Sequence, residues 1–256
     1  MSLTIPTMIL ARFNANVSLP NIKALFLDLD ETLLDGSQFG IVISGTCEAI
    51  ARRVPALDAD QLRRANSSVF SNIVTETLDD WTLGRLTGRE LSFDAWRRTL
   101  IECDYADPSI IRFAAETHLR LARSSYQLFD DARQLIDAID RSKVPVALIT
   151  NGASDTQSEK LDAMGILDWF DVLVISGEHG VAKPDATAFH LAIKELGIEK
   201  KGIWHVGDNP ETDVLGAQAA GLTGVWLNRN KAPIPRAVTP DLEITSLSAL
   251  IKFLRD

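Results

Sequence analysis

The chain has 256 residues, 46% of them hydrophobic, enough for one large domain or two modest ones around a sizeable core. Its net charge of −9, from 26 Lys and Arg against 35 Asp and Glu, argues against general nucleic-acid binding but leaves small anions open as ligands. Cys47 and Cys103 are far apart without metal-type spacing, as expected of reduced thiols in a cytoplasmic protein, and no apolar run reaches membrane-spanning length.

Residues 1–20 hold a short apolar patch, Thr7-Met8-Ile9-Leu10, which Arg12 and Asn14 end early. Without a basic lead it fits a signal peptide poorly, and the segment reads as a loose N-terminal extension. The run Ala24-Leu25-Phe26-Leu27 then reads as a buried strand leading into Asp28-Leu29-Asp30-Glu31-Thr32. Strand side chains alternate with period two, so Asp28 and Asp30 leave on one side if the strand persists. Like charges that close repel unless a cation, a proton or donors compensate them. The pair is therefore either a set of metal ligands or a set of reaction partners.

Between 37 and 124 only helical periodicity is present, with four helices expected near 44–53, 58–80, 88–102 and 108–123. Asp58-x-x-Gln61 and Thr87-x-x-Glu90 read as capping boxes. This block is an all-α domain inserted into an α/β domain made of residues 1–36 and 125–256. Apolar runs at 144–150, 172–176, 203–207 and 224–227 alternate with helical segments at 130–140, 156–164, 186–196 and 213–220. Pro184 suits a first helical turn, and Gly197 and Gly221 suit C-terminal caps. A weaker strand at 242–244 and a short helix close the chain. The alternation predicts a Rossmann-like, doubly wound parallel sheet covered on both faces. His118, His179, His190 and His205 lack metal-type spacing and read as structural or solvated.

In an open parallel sheet, ligands gather at the carboxyl ends of strands. The first strand ends in Asp28 and Asp30, the second in Thr150-Asn151-Gly152, and the fourth in Gly207-Asp208, with Asp213 five residues on. Lys183-Pro184-Asp185 follows the third.

These four motifs, in order and suitably spaced, resemble those of the haloacid dehalogenase-like (HAD) hydrolase superfamily. The likeness runs from residue 22 to the C-terminus, and the helical insertion resembles the C1-type cap of subfamily I. The resemblance implies a Mg2+-dependent phosphatase, monomeric or homodimeric. Its partner would be a small phosphorylated metabolite such as a nucleoside monophosphate or sugar phosphate. Asp28 would be nucleophile and metal ligand, forming an aspartyl-phosphate. Asp30 would act as general acid and base, and bind metal through its backbone carbonyl. Asp208 would complete the metal site. Thr150, with the Asn151 and Gly152 amides, would hold phosphoryl oxygens, and Lys183 would neutralise developing charge. Asp213 would orient Lys183 or a metal-bound water. In the cap, either Arg85 or Arg89 reads an anionic part of the substrate while Trp81 or Trp96 packs a ring, or the segment 81–89 is a capped turn with solvated arginines. Three rivals remain: a dehalogenase, a phosphomutase and a non-catalytic phospho-ligand binding protein. The family's dehalogenases lack the second aspartate, so Asp30 favours phosphate chemistry.

Overall fold

Strands buried on both faces need unbroken apolar runs, because helices cover a parallel sheet from either side. The computed structural model describes residues 11–13 and 19–254, so the apolar patch at 7–10 and most of the extension around it lie outside the described residues. Arg12–Phe13 form strand β1, and Ala24–Leu27 form β2. Four helices follow: α1 (Phe39–Arg53), α2 (Ala59–Thr82), α3 (Gly88–Glu102) and α4 (Pro108–Ser125). The chain then runs through α5 (Asp130–Ser142), β3 (Val146–Thr150), α6 (Ser154–Met164), β4 (Val172–Ile175), α7 (Ser176–His179), α8 (Ala186–Leu196) and β5 (Ile203–Gly207). A π-helical turn (Pro210–Leu215) leads into α9 (Gly216–Ala219), β6 (Thr223–Leu227) and β7 (Leu242–Ile244).

The sheet order is β1-β7-β6-β5-β2-β3-β4, parallel throughout except for β1. Arg12 pairs with Glu243 and Phe13 with Leu242, so this part of the expected loose extension is an edge strand. Alternation along the strands divides the core in two. Leu25, Leu27, Leu148 and Val206 pack with Leu135 of α5 on one face. Phe26, Ala147 and Ile149 pack with Phe189 of α8 on the other. A separate cluster, including Ile50, Leu62, Trp96 and Leu100, holds α1–α4 together. Each such fully buried side chain contributes about 1.5–3 kcal/mol.

Several element ends differ from expectation for local reasons. Helix α1 begins at Phe39 rather than 44 because Asp35 caps a preceding 3-10 turn, accepting from the Ser37 amide. Pro184 lies ahead of α8 rather than in its first turn, because Asp185 caps that helix by accepting from the Thr187 amide. The helix expected over 213–220 starts earlier, at Pro210, where Asn209 accepts from the Glu211 and Thr212 amides. The terminal helix is a 3-10 stretch, Leu247–Phe253. Thr87 and Glu90 make a full reciprocal capping box, and Asp58 accepts from the Gln61 amide. Because β5, β2 and β3 are adjacent and parallel, the residues that follow each of them converge at one edge of the sheet.

Candidate active site

Strand β2 stops at Leu27. The Asp28 amide still bonds to the Val206 carbonyl at 3.0 Å, and the chain then turns tightly, with the Leu33 and Leu34 amides both donating to the Leu29 carbonyl. Asp30 thus belongs to the turn, and strand alternation does not place it. It nonetheless borders the same pocket as Asp28, a space of about 260 Å³ also lined by Thr150, Asn151, Lys183, Asp208 and Asp213.

Lys183 is the electrostatic centre of the pocket. It is 4% exposed, and its Nζ donates to Asp28 Oδ1 and to Asp213 Oδ1, each at 2.6 Å. Burial works against its charge, but Asp213 and Asp28 outweigh that and push its pKa up. Burial alone would raise Asp213; Lys183 and His205 overcome it and hold this carboxyl well below the usual range. Asp213 is fully engaged, since its Oδ1 also meets His205 Nε2 at 3.0 Å and its Oδ2 accepts from the Asn209 amide at 3.0 Å. Burial lowers the His205 pKa, so its Nε2–H donates as neutral imidazole.

Asp28 and Asp208 are different. Burial, with Asp213 and Asp30 adding repulsion against the pull of Lys183, pushes Asp28 up to about 7. Burial, with Asp213 again adding, pushes Asp208 to about 6. Carboxylate oxygens of Asp28, Asp208 and Asp213 lie within 4.8 Å of one another. Hard oxygen donors under mutual repulsion suit a divalent cation such as Mg2+. With both Asp213 oxygens occupied, Asp28 and Asp208 are the side chains left to hold it.

The other motif residues have defined partners. Asn151 joins two loops: its Nδ2 donates to the Lys183 carbonyl and its Oδ1 accepts from the Lys183 amide, each at 2.9 Å. Thr150 Oγ1 accepts from Gln157 Nε2 at 2.6 Å. The Gly152 amide donates to Ser176 Oγ at 2.8 Å. In the helical layer, Arg85 Nε is bound to Asp80 Oδ1 at 2.6 Å, and Arg89 borders a small space beside Arg123 and Glu159. Neither arginine lines the pocket of Asp28 or the larger cavity beside it. Trp81 and Trp96 both line that larger cavity.

Sequence reasoning missed Gln157 and Lys160. They sit three apart on α6, where such spacing puts two side chains on one face. Gln157 Nε2 reaches Asp30 Oδ2 at 2.9 Å, and Lys160 Nζ meets both Asp30 oxygens. His205, read as structural, is buried beneath the pocket and orients Asp213. Ser176, the first residue of α7, also donates to the Thr82 carbonyl at 2.5 Å and ties α2 to the core.

A family model described as haloacid dehalogenase-like hydrolase matches residues 22–221. The chain belongs to that family. Among curated relatives it is 32% identical to a phosphoserine phosphatase of Thermus thermophilus, covering 88% of this chain and 96% of the relative. It is 33% identical to the pyrimidine 5'-nucleotidase YjjG of Escherichia coli, over 68% and 76% of the two chains. An N-acylneuraminate-9-phosphatase of Mus musculus is 26% identical over 93% and 96%. Among solved structures, the putative HAD-hydrolase YfnB of Bacillus subtilis, bound to magnesium, superposes with a TM-score of 0.67 at 23% identity, over 92% and 100% of the chains. That likeness shows the fold alone: a 2-haloacid dehalogenase of Pseudomonas syringae gives 0.66 at the same identity, over 91% and 98%. This HAD-like hydrolase is a phosphatase. No described helix is long and apolar enough to cross a membrane.

Proposed function

We propose that this phosphatase hydrolyses a small phosphate monoester with Mg2+, through an aspartyl-phosphate on Asp28, under a lid formed by the helices of residues 37–124. The observation that carries the reading is Asp28 at the end of β2, bound to buried Lys183 at 2.6 Å, with Asp30 and Asp208 on the same pocket.

The roles follow from chemistry. An Asp28 oxygen attacks phosphorus while the bond to the ester oxygen breaks, and Asp30 delivers a proton to that oxygen so that an alcohol departs. Asp30 then takes a proton from the water that attacks the aspartyl-phosphate, freeing inorganic phosphate and restoring Asp28. Lys183 keeps its charge beside the phosphoryl group throughout, and Asp213, fixed by His205 and the Asn209 amide, keeps Lys183 aimed. Thr150 and the Asn151 amide hold phosphoryl oxygens. Asp28, Asp208 and the Asp30 backbone carbonyl would hold Mg2+, which polarises the phosphoryl group when bound. Asp30 favours this chemistry over dehalogenation.

The test is phosphate release from p-nitrophenyl phosphate with Mg2+. Turnover in the wild type, abolished in Asp28→Asn, is the expected result. No turnover of any monoester, or an unaffected Asp28→Asn variant, would overturn the reading.

A further inference from the structure

Asp30 borders two spaces at once. One is the pocket of Asp28; the other is a partly open cavity of about 510 Å³ lined by residues of the helical layer and the core. The walls of the larger cavity are mostly apolar and aromatic, with Phe39, Val42, Phe70, Trp81, Leu91 and Trp96 among them.

The charges around it are unbalanced. Among the described residues that line it, the basic groups are Lys160 and His118. Lys160 is fully taken: its Nζ donates to both Asp30 oxygens and to Gln157 Oε1. His118 is held neutral, because burial pushes its pKa down to about 4. On the acidic side, Asp30, Glu31 and Asp35 line the same space.

Resting on the phosphatase reading, we propose that this cavity seats the leaving group of the monoester and selects an uncharged ring over a group bearing a carboxylate. A second anion placed against these apolar walls would lose part of its hydration, meet no free cation among the described lining residues, and face three carboxyl groups. A flat ring gains contact with the faces and edges of Phe39, Trp81 and Trp96. The volume suits a small organic ligand. Few polar side chains among these walls could meet the many hydroxyls of an open sugar, whereas a ring is matched by their apolar and aromatic faces. The 32% identical relative is called a phosphoserine phosphatase, and phosphoserine carries a carboxylate, so the selectivity inferred here separates this chain from that relative.

The experiment compares kcat/KM, with Mg2+, for thymidine 5'-monophosphate and 2-naphthyl phosphate against phosphoserine and phosphoglycolate, with p-nitrophenyl phosphate as control. Ring esters are expected to be favoured at least tenfold. Equal or reversed preference, with the control turned over, overturns this inference and leaves the phosphatase reading intact. Failure of every ester, the control included, overturns the phosphatase reading instead, and a binding measurement then decides the cavity. Thymidine is expected to quench the fluorescence of Trp81 and Trp96 saturably and serine to leave it unchanged; the absence of a thymidine response overturns the inference. A cation introduced by Leu91→Arg is expected to shift the preference at least fivefold toward phosphoserine. Leu119→Arg, on the same lining, serves if circular dichroism shows the first variant unfolded. An unshifted preference in a folded variant counts against the cavity as the selective element.

Discussion

Lys160 Nζ lies 2.7 and 2.8 Å from the two carboxylate oxygens of Asp30, so a helix on the far side of the pocket fixes the group that must exchange protons with the substrate. Lys160 is a positioning residue, since it acts through Asp30. Replacing it by Met leaves the carboxylate to Gln157 alone. Small errors in the geometry of a reacting group cost up to a hundredfold in rate. Lys160→Met is expected to lower kcat about tenfold on p-nitrophenyl phosphate with KM nearly unchanged, against a loss of about 10²–10⁴ for Asp30→Asn. Steady-state kinetics of both variants check this, and an unchanged kcat in Lys160→Met would sink it.

The buried triad of Asp28, Lys183 and Asp213 makes a stability prediction. Removing one partner from a buried ion pair costs about 3–5 kcal/mol, because an uncompensated charge stays behind. Lys183→Met strands two carboxyl groups that are nearly inaccessible. Urea unfolding should show a loss of that order without added metal, together with loss of turnover. A variant as stable as the wild type contradicts the role given to Lys183.

Metal removal should make stability depend on pH in an unusual direction. Asp28 and Asp208 have folded-state pKa values raised to about 7 and about 6, above the ordinary aspartate value of 3.8. The folded state therefore binds more protons than the unfolded state between about pH 4 and 7, and stability falls as pH rises through that window. In EDTA, the melting temperature should drop on going from pH 5 to 7.5, and less so in Asp208→Asn. Mg2+ should raise it more at pH 7.5 than at pH 5. Thermal melts with and without Mg2+ measure this, and an equal metal effect at both pH values argues against Asp28 and Asp208 as ligands.

His118 has the opposite sign. Its folded pKa is lowered to about 4 from 6.5, so the unfolded state binds more protons between those values. The stability it contributes is complete above about pH 6.5 and is lost as pH falls toward 4. His118→Phe should therefore lose less stability than the wild type between pH 6.5 and 4.5 in parallel denaturation curves. Identical slopes would show that His118 is not held neutral.

Gly84 makes one of the close contacts between the segment 81–89 and the core, beside the bond from Ser176 to the Thr82 carbonyl. Its φ is +74°, and a Cβ there would overlap the Gly177 carbonyl. A side chain in this left-handed region costs about 1–2 kcal/mol, and the overlap would lift the segment off the core. Gly84→Ala should lower the melting temperature by roughly 3–8 °C and raise KM at least fivefold. Normal KM in the variant would show that this close approach does not shape the site.

The amino-acid sequence by itself determined the layered α/β architecture. A buried parallel strand must be apolar along its whole length, so the runs ending at Leu27, Thr150 and Gly207 are visible without a structure. The clustering of Asp28, Thr150 and Asp208 was also foreseeable, since parallel neighbours bring their ends to one edge. Tertiary structure alone decided what those side chains bind. Lys160 and Asp30 are 130 positions apart, and no local spacing encodes that they meet. The commitment of the Gly152 amide to Ser176, the pairing of Arg85 with Asp80, and the aromatic cavity without a free cation are likewise products of packing. Composition and periodicity report which face of an element is buried. Which polar groups on that face find one another depends on how the elements are docked, because hydrogen bonds and ion pairs are set by distances of a few ångströms.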